Sequence, residues 1–213
     1  MAEEEKFLKA VKKLREIENK ERKERKFDQT VDLIINLKDF DVRKEAFNLF
    51  VELPNKIKDK KVAGFFEKDS KLIDVIKKDD FGKYKEKKDI KKLVKKYDSF
   101  IANAKLMPAI ATSFGRILGP AGKMPSPQLG VLPNEDEKII QELIKKINLS
   151  VRIMVKEPSI KIGVGKESLI DEAVVENALV VYNKILETLP RKKDNIRNIK
   201  IKFTMGEVVK VDL

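Results

Sequence analysis

This 213-residue sequence contains no cysteine and no histidine. Without cysteine, the chain cannot form a disulfide bond, a thiolate zinc site or a cysteine nucleophile. Without histidine, it lacks both the commonest general base of enzymes and the commonest ligand of transition metals. Any catalysis would depend on Asp, Glu, Lys or Ser alone. We therefore predict that the protein is not an enzyme and that it has no metal site and no cofactor.

Long apolar segments are missing as well. The sequence has no run of about 18 apolar residues, the length that a membrane-spanning helix needs. Residues 1–6 are acidic and lack the apolar centre of a signal peptide. We expect an intracellular, soluble protein with no membrane partner.

Charged residues, by contrast, make up 38% of the chain, and the formal net charge is +12. An excess of positive charge favours a polyanionic partner, of which nucleic acid is the commonest. Lysine outnumbers arginine by 39 to 8, a bias that genome composition or a hot habitat also produces. The 42% of hydrophobic residues is enough for a folded core, and the length fits two small domains.

An amphipathic helix is predicted over residues 4–26. Its apolar positions follow a 4-3-3 spacing, at Phe7, Val11, Leu14 and Ile17. The second half, 19–26, is almost entirely charged and is either a solvated helix end or a basic edge that faces phosphate. Apolar residues then alternate over 28–37 and 47–53, a pattern typical of two adjacent strands of an antiparallel, half-exposed sheet.

After the first sixty residues, the pattern changes to short, continuous apolar runs at 62–66, 72–76 and 99–102. Lysine-rich helical stretches separate these runs, and a further helix is predicted near 135–147. Short buried strands separated by helices indicate a parallel α/β unit. Residues 67–85 are short for a complete helix and strand, which predicts a trimmed unit.

The C-terminal third returns to alternating patterns, with a strand over 159–165 and a last strand over 199–203. Between them, Ser168 with Asp171 three residues later resembles a capping box and predicts the start of a helix. Pro190 ends that helix. Both ends of the chain therefore predict antiparallel α+β structure, whereas the middle predicts parallel α/β structure.

The simplest architecture combines both classes in two domains. A split α+β domain is built from residues 1–58 and 151–213, and an α/β domain of residues 59–150 is inserted into it. The inserted domain has 20 Lys and Arg against 13 Asp and Glu, a net charge of +7, which leaves +5 for the rest. Net charge alone would therefore assign nucleic-acid binding to the inserted domain.

Two segments superficially resemble phosphate-binding loops. Residues 163–168 have one residue between the first glycine and Gly-Lys, where a P-loop needs four, and Glu167 stands where a hydroxyl should hold magnesium. Residues 119–124 fail the same test of spacing, and Pro120 removes an amide donor. A nucleotide-dependent enzyme or factor built on the inserted domain is therefore the alternative function rather than the preferred one. A general DNA-binding protein is a second alternative.

The most unusual stretch is residues 115–127, which hold three of the nine glycines and three of the eight prolines. Such a density fixes an irregular backbone path. The stretch is similar to a segment of the ribosomal protein L-one family of the large subunit, and so are residues 26–32 and 204–206. Residues 95–102 resemble its archaeal and eukaryotic branch. The resemblance covers nearly the whole chain.

The resemblance implies that the split domain carries the main RNA-binding surface and that the inserted domain is Rossmann-like but binds no dinucleotide. It implies a structural constituent of the large ribosomal subunit that binds the mobile stalk of large-subunit rRNA beside the tRNA exit site, with that rRNA and tRNA as partners. It also implies that the protein can repress translation by binding a similar fold in its own mRNA. We expect a cytoplasmic protein that is a monomer when free of the ribosome.

Carried over residue by residue, the resemblance gives these expected RNA contacts: Lys26, Phe27, Thr30, Lys156, Thr204, Met205 and Gly206. Thr204 offers a short hydroxyl, Gly206 lets the backbone approach the RNA, and Met205 offers an adaptable apolar contact to a ribose or base. The two lysines would contact phosphates. Phe27 either stacks on a base or packs beneath the threonine and methionine and holds them in place, and we expect the packing role.

Overall fold

The computed structural model describes residues 2–21, 26–84 and 86–212. The chain forms two compact units. We call the described residues of Met1–Lys58 and Leu149–Leu213 the terminal unit, and those of Asp59–Asn148 the inserted unit. Within the described part of the chain, no helix is both long and apolar enough to cross a bilayer. The mixed α+β and α/β class that the sequence predicts is confirmed.

The helices and strands follow one another along the whole chain. In chain order they are α1 (Ala2–Glu21), β1 (Thr30–Leu37), α2 (Val42–Glu45), β2 (Asn48–Glu52), β3 (Val62–Phe65), β4 (Asp74–Val75), α3 (Lys87–Lys96), β5 (Ser99–Asn103), α4 (Met107–Leu118), β6 (Val131–Leu132), α5 (Glu137–Leu149), β7 (Ser150–Met154), β8 (Ser159–Lys166), α6 (Asp171–Thr188), β9 (Ile196–Phe203) and β10 (Val208–Val211). Short 3-10 helices lie at Lys78–Tyr84, Ala104–Leu106 and Lys192–Asn195. Residues 22–25, in the charged half of the predicted first helix, lie outside the described residues.

The terminal unit is built on a four-stranded antiparallel sheet in the order β10-β9-β1-β8. Strand β1 alternates as predicted, and its inward side chains are Val31, Leu33, Ile35 and Leu37. Helices α1 and α6 pack against this inward face, and the predicted apolar stripe of α1 lies in the same core. The outward side chains of β1, such as Asp32 and Asn36, are half-buried and mostly polar.

Strand β2 lies in a different sheet from β1. It pairs with β7 in a two-stranded antiparallel sheet, so the expectation that it is adjacent to β1 is wrong. Both edges of β1 are occupied by the longer strands β8 and β9, each of which pairs with it at seven positions. Local alternation identified each strand correctly, but pairing depends on segments more than a hundred residues away.

The start of α6 also differs from the prediction. The helix begins at Asp171 with Ile170 as its N-cap, a residue without a polar side chain to cap it. Ser168 therefore is not the N-cap. Its N–H and hydroxyl groups instead donate to the carboxylate of Asp28, at 3.1 and 3.0 Å. Asp28, in the segment before β1, therefore binds the serine that the sequence pattern predicts as the helix cap.

The inserted unit contains a parallel sheet in the order β4-β3-β5-β6, which confirms the predicted parallel α/β structure. One face of the sheet packs against α3 and α4, through a core that includes Phe65, Phe100 and Phe114. The other face packs against α5. Strand β4 has two residues and is followed by a 3-10 helix rather than an α-helix, as the short segment predicts.

The Gly- and Pro-rich stretch 115–127 is only partly irregular, because its first four residues complete α4. The chain then turns at Gly122, whose φ of 70° lies in the left-handed region that glycine adopts freely. The Nζ of Lys123 donates to the carbonyl oxygens of Val94 and Tyr97, both at 2.7 Å, at the C-terminal end of α3. A cation at this position neutralises the partial negative charge of the helix end.

Candidate nucleic-acid interface

The beginning of β1 and the end of β9 meet at one end of the terminal sheet. There the N–H of Thr30 donates to Thr204 Oγ1 at 3.1 Å, and the N–H of Thr204 donates to the carbonyl oxygen of Thr30 at 3.0 Å. Thr204 Oγ1 also lies 3.3 Å from the same carbonyl oxygen and donates to it. The pair continues the strand ladder by one position. Two residues that the sequence separates by 174 positions are therefore neighbours.

The side chain of Gln29 is fully buried beneath the loop that follows β9. Its Oε1 accepts the N–H of Met205 at 3.1 Å. Its Nε2 donates to Glu18 Oε1 at 2.9 Å and to Glu167 Oε2 at 3.3 Å. One carboxamide thus joins α1, the β8–α6 loop and the β9–β10 loop. The sequence reasoning did not identify Gln29 as a functional residue.

Two large apolar side chains at this end of the sheet are exposed: Met205 by 59% and Phe27 by 51%. The expectation that Phe27 packs beneath Thr30 and Met205 is therefore wrong. Gln29, two residues further along the chain, occupies the buried position beneath Met205 instead. The phenyl ring of Phe27 is left available for contact with a partner.

Gly206 is in close contact with the end of α1. A Cβ atom at this position would lie 2.8 Å from Glu18 Oε2 and 3.2 Å from the Cβ of Phe203. The N–H of Gly206 donates to the carbonyl oxygen of Phe203 at 3.2 Å, which closes the turn. The protein's own packing favours glycine here, because a Cβ atom would displace the Glu18 carboxylate, and the resemblance implies a close approach of RNA as well.

The loop between β8 and α6 is fixed from two sides. Arg15 of α1 forms an ion pair with Asp171 and donates from Nη1 to the carbonyl oxygen of Glu167 at 2.9 Å. On the other side, Lys166 Nζ donates to the carbonyl oxygen of Asp28 at 2.8 Å. These contacts hold the buried and half-buried polar groups around Gln29 in one arrangement.

Lys26 is exposed directly before Phe27, whereas Lys156 lies at the other end of the sheet. Lys156 is in the turn between β7 and β8, two residues before Pro158, whose carbonyl oxygen accepts the N–H of Leu37 at the end of β1. Thr30 is seven residues earlier in that strand, which at about 3.3 Å per residue separates the two ends by roughly 23 Å. The structure therefore brings the other six expected contacts together but not Lys156. We call these six residues the strand-end surface: Lys26, Phe27, Thr30, Thr204, Met205 and Gly206.

The open face of the sheet adjoins this surface. On it, Asp32 is paired across the strands with Gly163 of β8 and Lys202 of β9. Burial raises the pKa of the Asp32 carboxyl, and the ammonium group of Lys202 lowers it by less, so the pKa lies above its ordinary value. The ionised carboxylate is therefore less favourable in the folded chain than in the unfolded one.

The chain is similar to proteins of the family that its sequence motifs resemble. Residues 19–207 match the model of the ribosomal protein L1p/L10e family. The large ribosomal subunit protein uL1 of Nanoarchaeum equitans is 38% identical over 202 residues, which cover 90% of this chain and 95% of the relative. The corresponding proteins of Thermococcus kodakarensis and Pyrobaculum neutrophilum are 38% and 40% identical over 201 and 202 residues. These alignments cover 89% and 88% of this chain, and 91% and 86% of the two relatives.

Proposed function

Because this chain belongs to the ribosomal protein L1p/L10e family, we propose that it is a constituent of the large ribosomal subunit and binds rRNA through the strand-end surface. The family is structural rather than catalytic, so the chain is not an enzyme. The observation that carries the proposal is the pairing of Thr30 with Thr204 next to the exposed side chain of Met205. Small polar groups and an adaptable apolar group at one sheet end suit the shallow minor groove of RNA.

The hydroxyl of Thr204 has one acceptor position to spare. A hydroxyl can donate once and accept twice. It donates to the carbonyl oxygen of Thr30 and accepts the N–H of the same residue. One lone pair therefore remains for the 2′-hydroxyl of a ribose, the group that distinguishes RNA from DNA.

The apolar part of the surface would contact the sugar or base of the same nucleotides. The thioether of Met205 adapts to irregular surfaces, and the ring of Phe27 can stack on an unpaired base. Lys26 would contact a phosphate, which positions the RNA without reading its sequence. The burial of Gln29 beneath Met205 fixes the loop in advance, so little conformational entropy is lost on binding.

The finer target is the mobile stalk of large-subunit rRNA beside the tRNA exit site, where the protein would also contact tRNA. We further propose that it represses translation of its own mRNA by binding a similar fold there, and that it is a monomer when free of the ribosome. These statements follow the family resemblance of residues 26–32 and 204–206. A leader fragment of the mRNA should compete with the stalk fragment for one binding site, whereas excess duplex DNA should not.

The proposed contact is tested with Met205→Asp in the full-length protein. A carboxylate at the centre of a dry contact should weaken binding to a stalk rRNA fragment by about 2 kcal/mol or more, roughly thirtyfold in Kd. The matched control is Met154→Asp, because Met154 is 37% exposed at the end of β7. That variant should bind as the parent does.

Fluorescence anisotropy at several salt concentrations gives both affinities, and urea unfolding shows whether either variant has lost stability. Equal binding by the parent and Met205→Asp would remove Met205 from the interface and contradict the proposed site. Saturable micromolar binding of ATP or GTP by the parent would favour the nucleotide-dependent alternative.

A further inference from the structure

The parallel sheet of the inserted unit has a reversal of strand order of the kind that marks the ligand-binding edge of other α/β sheets. From β3 the chain passes first to β4 on one side and then to β5 on the other. Open parallel sheets bind ligands at such a reversal, outside the carboxyl ends of the strands. The residues that follow β3, β5 and β6 meet at this edge.

The hydrogen-bond donors at this edge bind a carboxylate of the protein itself. Glu135 follows β6 by three residues, and its Oε1 and Oε2 accept the N–H groups of Glu67 and Lys68 at 3.0 and 2.9 Å. The Nδ2 of Asn103, at the end of β5, donates to Oε1 at 2.6 Å. Asn103 is 95% buried, and its Oδ1 accepts the N–H of Lys105 at 3.0 Å, which fixes the direction of the amide.

Negative charge is favoured at this position. Burial raises the pKa of Glu135, but the donors on Glu67, Asn103 and Lys68, together with the charge of the Lys68 side chain, outweigh it and hold the pKa below its ordinary value. The carboxylate is therefore ionised at neutral pH. Successive backbone N–H groups with an added side-chain donor form the same arrangement that binds phosphate in many proteins.

We propose that Glu67, Lys68 and Asn103 form an oxyanion-binding cradle that the chain fills with its own Glu135 carboxylate. An external phosphate, inorganic or part of a nucleotide, is excluded while that carboxylate is in place. It binds once the carboxylate is removed, because the three donors then have no acceptor. The inference concerns the inserted unit and is independent of RNA binding by the terminal unit.

Glu135→Ala tests the cradle. The matched control is Glu137→Ala, which removes an exposed carboxylate two residues further on. The backbone amide signals of Glu67 and Lys68 in NMR spectra report on the donors directly. Titration of Glu135→Ala with sodium formate or inorganic phosphate should shift both signals saturably. The parent and Glu137→Ala should show no saturable shift at these amides.

The absence of an anion-dependent shift at Glu67 and Lys68 in Glu135→Ala would overturn the proposal. So would saturable ATP-dependent shifts of the same amides in the parent, because they would show that a phosphate enters with Glu135 in place. If Glu135→Ala does not fold, Glu135→Gln keeps the side-chain shape but presents an amide group to one donor. That variant should show faster hydrogen exchange at Glu67 or Lys68 than the parent, and unchanged exchange at both would refute the cradle.

Discussion

Replacing Gln29 by leucine keeps a side chain of similar size but removes the carboxamide that contacts Met205. In the parent, Oε1 of Gln29 accepts the N–H of Met205 at 3.1 Å, and Nε2 donates to Glu18 at 2.9 Å. After the substitution, the N–H of Met205 loses its acceptor. We expect both the stability of the terminal unit and its RNA affinity to fall.

The size of each effect follows from the surroundings of the partners. An N–H group in a part-buried site that loses its acceptor costs up to about 1–3 kcal/mol. The carboxylates of Glu18 and Glu167 belong to half-exposed residues, so water can replace the lost donor at little cost. We therefore expect the free energy of unfolding to fall by about 2 kcal/mol. If the released loop adopts its binding conformation about a tenth of the time, the Kd for RNA rises about tenfold.

Asn195→Leu provides the matched control at the opposite end of the sheet. Asn195 is also a buried amide: it accepts the N–H of Arg191 at 2.8 Å and donates to the carbonyl oxygens of Lys38 and Asp39, both at 3.1 Å. Its loss should reduce stability by a similar amount and leave RNA affinity unchanged. Urea unfolding and anisotropy with a labelled stalk fragment measure the two quantities.

The comparison separates anchoring of the loop from general loss of stability. Parent-like RNA binding by Gln29→Leu would refute the anchoring role. An equal loss of RNA affinity in Gln29→Leu and Asn195→Leu, measured where both are fully folded, would refute it as well, because the effect would then not depend on the position of the amide.

Four further substitutions give three separate checks. Gly206→Ala should destabilise the protein by about 1 kcal/mol and weaken RNA binding, because its Cβ would displace the carboxylate of Glu18. An unchanged midpoint of urea unfolding would contradict the close contact. Asp32→Asn should stabilise the protein at about pH 7, because the raised pKa makes the ionised carboxylate unfavourable in the folded state. That gain should be absent near pH 3, below the ordinary aspartate pKa, and a gain of equal size at both values would show that ionisation is not its cause. Lys26→Ala should lower the slope of log K against log salt concentration by about one, whereas Lys156→Ala should leave it nearly unchanged. Equal slopes in the two lysine variants would contradict the assignment of the phosphate contact to Lys26 rather than to Lys156.

Hydrophobic alternation predicted four of the six strands described in the terminal unit, because one face of the main sheet is buried. It missed β7, whose buried positions do not alternate, and β10, which has only four residues. The same alternation contains the signal for Gln29 that the reasoning missed. Gln29 continues the inward series of Val31, Leu33 and Ile35 by one position, but its polarity made it look like a residue outside the core. Buried polar residues at strand ends are recognised only when their partners are known, and here the partners come from three distant segments.

Two other expectations differ from the structure for a similar reason. Phe27 was expected to pack beneath Thr30 and Met205 and hold them in place, yet the space beneath Met205 is filled by the carboxamide of Gln29. The expected RNA contact at Lys156 came from the resemblance alone. The first residue of β8 pairs with Asn36, so the turn that holds Lys156 lies at the opposite end of the sheet from the beginning of β1. Local sequence patterns determine which residues form strands, whereas the partners of a strand are determined by the whole topology.

The strand order of the terminal unit has a consequence for synthesis of the chain. Strand β1 lies between β8 and β9, which begin at residues 159 and 196, and it ends at residue 37. At translation rates of roughly 5–20 residues per second, β1 waits about 6 to 25 seconds for the first of these neighbours. The inserted unit, made from one continuous segment, is complete by then.

The strand-end surface is completed later still, when Thr204 has left the ribosomal tunnel and joined Thr30. A nascent or truncated product that ends before this residue lacks the strand-end surface and, on the proposed assignment, should not bind RNA there. If the proposed site is right, RNA binding depends on synthesis of the chain through Thr204, because the order of the segments places the two halves of the site far apart in the sequence.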